Sequence, residues 1–276
     1  MSADSGERKI PKIIHYCWFG GNPLPAEAKK CIDSWIRFFP GYEIRRWDES
    51  NFDITSSDYA AEAYADKKWA YVSDYARFYI LYKYGGVYFD TDVEVIRSFD
   101  DILANGPFMG EENNAVNPGL GVAVAPGLGV IGDLLECYKK LHYKDKDFSD
   151  EKTIVDYTTE ALRARGFLGT GNIERVDGIT IYPAEFFCPM DYATGEITLT
   201  EHTHSIHHYT SSWLTPRSRR WVKMEQRITC KIGPERAGRV FNNHIWAAAR
   251  MLYGRGVKEL LRFVKRHIEL RSGKKV

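Results

Sequence analysis

From Trp69 to Tyr84 the chain is apolar on most sides of a helical projection, and no other stretch constrains the fold as much. A helix without a polar face belongs in an interior. Gly85-Gly86 ends it, as glycine does at helix C-termini, and Val87-Tyr88-Phe89 then reads as a short buried strand. A buried helix feeding a buried strand calls for a layered α/β arrangement.

The rest of the first half agrees. Lys12 to Phe19 is rich in β-formers and stops at Gly20-Gly21 and Pro23, so it reads as a strand with a glycine-rich turn. Residues 25–38 carry Ala28, Ile32, Trp35 and Ile36 at helical spacing, Pro40-Gly41 breaks the chain, and Tyr42 to Trp47 alternates as a second strand. Residues 58–84 read as helical. Further on come a buried strand over 119–126, helices over 132–140 and 153–165, and a strand over 179–182.

Composition enters where partners are concerned. At 44% hydrophobic and 27% charged the 276 residues can build a core, and a net charge of +1 gives the whole chain no pull toward nucleic acid. That average hides an asymmetry: Lys and Arg outnumber Asp and Glu 17 to 4 after Leu214, whereas acids outnumber bases 33 to 21 before it. The expected division is therefore residues 1–215 as one domain and 216–276 as a basic helical segment. Within the latter, 257–268 has an amphipathic basic pattern, which suits either an inner-membrane surface or packing on the domain.

Cys17, Cys31, Cys137, Cys188 and Cys230 form no CxxC pair, which argues against a disulfide framework or zinc site and for a reducing compartment. Met1 to Lys9 lacks an apolar signal core and no run of 18 apolar residues occurs. The expectation is a cytoplasmic protein, peripheral on the membrane's inner face at most.

Asp90 and Asp92 carry the sharpest chemistry. On a continuing strand both would face one side and could hold a hard divalent cation with positions left for phosphate oxygens; a solvated turn is the competing reading. Asp74 and Arg77, at i and i+3 in the apolar helix, share a face, either as a buried ion pair or as a clamp on sugar hydroxyls. Trp18 is a core residue or an aromatic face for a base. His207 and His208 are structural or supply a third metal ligand. Glu111 and Glu112 read as loop carboxylates, with an acceptor-side role as the alternative.

The blocks Ile10 to Gly21, Ser73-Asp74-Tyr75-Ala76-Arg77 and Tyr84 to Asp92 resemble the DXD sugar transferases, and more narrowly glycosyltransferase family 32. That family takes in bacterial capsular polysaccharide synthesis proteins and yeast initiating mannosyltransferases, and the same blocks recur in the large clostridial glucosylating toxins. The resemblance covers about residues 10–214. It implies a GT-A fold, a Rossmann-like α/β sheet binding a nucleotide-sugar with Mn²⁺ or Mg²⁺, here with a C-terminal basic helical extension.

By the same resemblance Trp18 stacks on the base, with Cys17 and Phe19 beside it, and Asp74 and Arg77 hold the donor sugar. Asp90 contacts ribose, sugar and metal, Thr91 lies between the acids, and Asp92 coordinates the metal. His207 or His208, His207 being favoured, completes the metal set, and Ser212 and Trp213 join the donor site. The implied reaction is hexose transfer with retained configuration, from a UDP-sugar in preference to GDP-mannose, to a saccharide or lipid-linked acceptor in surface polysaccharide synthesis. A haloacid-dehalogenase-type phosphohydrolase is disfavoured by Glu94 two residues after the second acid. A sugar-nucleotide-binding or membrane-adaptor protein without turnover remains the non-enzyme alternative.

Overall fold

The computed structural model describes residues 9–143, 152–210 and 215–242, together with Trp246, Ala249, Leu252 and Tyr253. The described residues form two compact units: one runs to Met190 and takes in Thr198–His208, and the other comprises Asp191–Ile197 and the described residues from Tyr209 onward.

The first unit opens as strand β1 (Ile13–Cys17), helix α1 (Ala26–Phe38) and strand β2 (Glu43–Trp47), with β1 and β2 parallel. The expected helical stretch 58–84 divides into α2 (Asp58–Ala65) and α3 (Trp69–Tyr84), because Lys67 adopts a left-handed backbone at φ 56°. Strand β3 (Gly86–Tyr88) follows α3 directly. Gly86 is required there: its φ is +95°, and a Cβ would lie 2.7 Å from the Ile13 carbonyl oxygen of β1.

Beyond β3 come β4 (Val93–Val95), α4 (Asp100–Ala104), β5 (Phe108–Glu112), β6 (Ala115–Val124), α5 (Gly129–Lys139) and α6 (Ile154–Arg163). The unit closes with β7 (Glu174–Val176), β8 (Ile179–Tyr182), α7 (Ala184–Phe187) and β9 (Ser205–His207). Seven strands form one mixed sheet in the order β2-β1-β3-β6-β5-β8-β7, and β4 pairs with β9 separately. This is the α/β, Rossmann-like architecture expected. Glu111 and Glu112 correct the loop reading: both lie on β5, which is hydrogen-bonded to β6 and β8 on its two sides.

Strand directions decide where a ligand can sit. β1, β2, β3, β5 and β8 all run the same way, and β6 and β7 run against them. Five carboxyl ends therefore share one sheet edge. The chain leaves β1 toward β2 and then returns to place β3 on the other side of β1. Such a reversal opens the crevice in which α/β sheets bind ligands.

Both sheet faces are covered. Tyr75, Phe78, Ile80 and Leu81 of α3 pack with Leu134 and Tyr138 of α5 and Met109 of β5. Trp35, Phe89, Phe99 and Phe187 form a second, aromatic layer. Each fully buried aromatic of this kind stabilises the fold by about 1.5–3 kcal/mol relative to exposure.

In the second unit α8 (Pro216–Ile232) and α9 (Pro234–Phe241) are the described helices. Thr215 caps α8 by accepting from the Ser218 N–H. Gln226 donates to the Tyr192 carbonyl and the Cys230 thiol to that of Thr194, which explains why 191–197 groups with these helices and not with the sheet. Trp221 packs on Trp246 and Tyr253. The amphipathic pattern at 257–268 lies outside the described residues, as do Ser212 and Trp213.

Candidate functional site

The strand expected to carry Asp90 and Asp92 stops at Tyr88. Asp90-Thr91-Asp92 forms a turn, closed by the Val93 N–H donating to the Asp90 carbonyl at 3.1 Å. Strand alternation therefore does not align the two carboxylates, and a turn aims each at a different set of groups.

Asp90 faces the buried helix. The Arg77 guanidinium approaches its two carboxylate oxygens at 3.2 and 3.4 Å, and the Tyr88 hydroxyl donates to one of them at 3.1 Å. Arg77 also reaches Asp74 at 3.4 Å. The ion-pair reading of Asp74 and Arg77 describes the arrangement, an intrahelical pair that also holds an acid from the turn after β3. The guanidinium lies over the Tyr88 ring, 4.8 Å from its centroid. Burial works against the Arg77 charge, but Asp90, Tyr88 and Asp74 outweigh it and raise its pKa. Burial pushes the Cys17 thiol beside it up to about 12, so that sulfur is not a thiolate.

Gly119 of β6 leaves room for the Asp90 carboxylate. A Cβ there would fall far inside van der Waals contact with an Asp90 carboxylate oxygen. The Gly119 carbonyl also accepts the Asp90 N–H at 3.0 Å.

Asp92 faces the other way, toward β9. Pairing of β4 with β9 sets Val93 opposite His207, and the His207 Nε2 lies 3.4 Å from an Asp92 carboxylate oxygen. Its Nδ1 lies 3.9 Å from Glu112 Oε2, and the Cys188 thiol donates to that same oxygen at 3.8 Å. Ligand atoms of Glu112, Cys188 and His207 all fall within 4.8 Å of one another. Burial opposes protonation of His207, but Asp92 prevails and its pKa is raised well above the ordinary value.

His208 points elsewhere. It follows the last residue of β9, and its Nε2 meets Glu94 at 2.7 Å, where Lys30 also pairs at 3.0 Å. Of the two adjacent histidines, His207 is the one beside Asp92.

These donors suit a divalent cation. Two ligands bound to one octahedral ion at ~2.1 Å lie ~3 Å apart, and the 3.4 Å between His207 Nε2 and Asp92 is close to that span. Imidazole with carboxylates accommodates a transition ion as well as a hard one.

At the end of β1 the partly exposed Trp18 donates its indole N–H to the Asn22 carbonyl at 2.7 Å. Phe19 and Cys17 are buried, Phe19 edge-on against Phe52. Thr91 is half-buried in the acidic turn. The structure thus gathers Asp74, Arg77, Asp90 and Cys17 on one side of the turn and Asp92 and His207 on the other. Tyr88, Gly119, Glu112 and Cys188 belong to the same surroundings, though the sequence singled none of them out for these contacts. Only Tyr88 carried a signal, its place two residues before Asp90 in a strand.

Residues 25–109 match the family described as the glycosyltransferase sugar-binding region containing DXD motif. The inositol phosphoceramide mannosyltransferase 3 of Schizosaccharomyces pombe is 38% identical over 102 residues, 34% of this chain and 27% of that protein. Mannosyltransferase 1 of the same name and organism is 30% identical over 115 residues, 39% and 36% of the two chains. An uncharacterized glycosyltransferase, L373, of Acanthamoeba polyphaga mimivirus is 29% identical over 105 residues, 36% and 42%. The chain thus spans between about a quarter and two-fifths of these relatives. A solved structure, PaToxG glycosyltransferase, aligns over 56% of this chain and 68% of its own at 20% identity and a TM-score of 0.42.

Proposed function

From the premise that residues 25–109 belong to the DXD-containing sugar-binding regions of glycosyltransferases, we propose that the protein is a metal-dependent glycosyltransferase. It moves a hexose from a nucleotide-diphosphate sugar to a saccharide or lipid-linked saccharide acceptor, with retention of configuration. The observation that carries this reading is the turn Asp90–Asp92 at the strand reversal, with Arg77 on one acid and His207 on the other.

Each residue then has a task. Asp74 and Arg77, at the buried end of the crevice, accept and donate hydrogen bonds to donor-sugar hydroxyls. Tyr88 and Gly119 fix the Asp90 carboxylate, one by a hydrogen bond and the other by leaving space. Asp92 and His207 would hold Mn²⁺ or Mg²⁺, with Glu112 against the other imidazole nitrogen. Such an ion supplies Lewis-acid stabilisation of the diphosphate leaving group. Trp18 offers an indole face to the base.

Asp74 and Asp90 are both paired to Arg77. A carboxylate so paired is a weak nucleophile, which favours front-face attack by the acceptor hydroxyl over a double displacement. Isolation of a covalent glycosyl-enzyme would contradict this step.

The family resemblance implied a UDP-hexose in preference to GDP-mannose, whereas the names of two relatives support a mannosyl donor such as GDP-mannose. Calorimetric titration with UDP and GDP, each with Mn²⁺ and with EDTA, tests the site and names the base. Metal-dependent binding of one nucleotide, lost in Asp92→Asn, is expected. Equal binding with EDTA would remove the metal from the account. Helix α8, with six Lys and Arg against one Glu, is proposed to touch an anionic membrane face where lipid-linked glycans are built. Among the described residues no helix is long and apolar enough to cross a membrane.

A further inference from the structure

Glu111 precedes Glu112 on β5, so the two side chains leave opposite faces of the strand. Glu112 meets His207 and Cys188. Glu111 instead lines a cavity of about 390 Å³, together with Asn113, Asn114, Gly171, Pro183 and Glu185. Glu111 is only 1% exposed, and among the described residues its Oε1 has no hydrogen-bond partner. A buried carboxyl oxygen left unpaired is unfavourable, and a ligand hydroxyl that reached it would remove that cost.

The surroundings narrow the ligand. Asn113 and Asn114 form the two-residue turn between β5 and β6, at φ 49° and 60°, the geometry of a tight hairpin. Both are exposed, and their amides offer donors and acceptors. No Lys or Arg lines the cavity among the described residues, and Glu111 and Glu185 would repel a phosphate or carboxylate. The volume falls in the lower part of the ~300–1,000 Å³ range of small-molecule sites. The cavity also lies at the carboxyl ends of β5 and β8, on the sheet edge that carries the Asp90–Asp92 turn.

We propose that this cavity is an acceptor subsite, in which Glu111, Asn113 and Asn114 grip an uncharged, hydroxyl-rich sugar ring beyond the one that reacts. The assignment to the acceptor rests on the glycosyltransferase reading; the saccharide chemistry rests on the cavity itself.

The test is saturation-transfer NMR on the full chain with methyl glycosides of mannose, glucose and galactose, their α1,2- and β1,4-linked disaccharides, and mannose 6-phosphate. At least one neutral saccharide is expected to bind in the millimolar range, and the phosphorylated sugar is not. Glu111→Gln, nearly isosteric, should weaken that binding at least tenfold, and Glu185→Ala at the exposed rim should weaken it less. Absence of binding to every saccharide, or binding unchanged in both variants, would overturn the proposal. Donor titration of the wild-type chain separates the two readings. Nucleotide binding without Glu111-dependent saccharide binding removes the subsite alone, whereas saccharide binding without nucleotide binding keeps the subsite and removes the transferase.

Discussion

Arg77 sets the electrostatics of the site by standing between Asp74 and Asp90 while almost wholly buried. A charge in such a place persists only because partners replace its water. Gly119 is the complementary residue, since its missing side chain is the space that Asp90 occupies. Gly119→Ala must displace that carboxylate, and a displacement of ~1 Å costs on the order of 10²-fold in turnover. Steady-state kinetics on a folded variant would check this; a wild-type rate would show that Asp90 need not be fixed. Glu111→Gln carries a stability prediction of its own. A carboxyl raised to about 7 in the folded chain favours folding below its ordinary pKa of 4.5, and that contribution is lost as pH rises through 7. The variant should match wild type in urea at pH 4.5 and exceed it at pH 8. His15 behaves in the opposite sense. Burial lowers its pKa to about 4, with Trp47 donating to Nδ1 and Nε2 facing the Gly85 carbonyl. Its contribution is complete above about 6.5 and lost as pH falls through 4, by up to roughly 3 kcal/mol. Urea midpoints of wild type and His15→Gln should therefore converge as pH falls from 7 to 4.

At the scale of elements, the pairing of β4 with β9 selects between two adjacent histidines. His207→Ala should weaken metal binding at least as much as the 10–100-fold that loss of an outer-shell partner costs. His208→Ala should leave Mn²⁺ affinity near wild type, because that ring sits on Glu94. Mn²⁺ titration by electron paramagnetic resonance distinguishes them, and the reverse ranking would place the ion elsewhere. The same elements show what was legible beforehand. Asp74, Arg77, Asp90 and Asp92 stood out because charges interrupt apolar runs, and the β1-α1-β2 opening because its periodicities are unmixed. Glu112 was legible only as a loop or acceptor-side acid, and its meeting with Cys188 was not, since 76 residues separate them and only the β5–β8 pairing and the turn into α7 bring them together. Strand β5 itself was hidden, because a glycine and two glutamates follow Phe108-Met109 and mask a strand that its two neighbours stabilise.

For the whole molecule, five parallel carboxyl ends place the Asp90–Asp92 turn and the Glu111 cavity along one edge of the first unit. The acidic excess before Leu214 and the basic excess after it suit different partners. Reversing Arg217, Arg219 and Arg220 of α8 to Glu should reduce binding to phosphatidylserine vesicles and flatten its salt dependence. Unchanged sedimentation with vesicles would leave the basic helix as packing only. The central claim is nucleotide-sugar turnover at the acidic turn. It is tested most directly by incubating wild type and Asp92→Asn with UDP-glucose, UDP-galactose, UDP-N-acetylgalactosamine and GDP-mannose, with Mn²⁺ or EDTA, and following release of nucleoside diphosphate. Release from one donor, abolished by EDTA and by the substitution, is the predicted result. Release that persists in both conditions would contradict it.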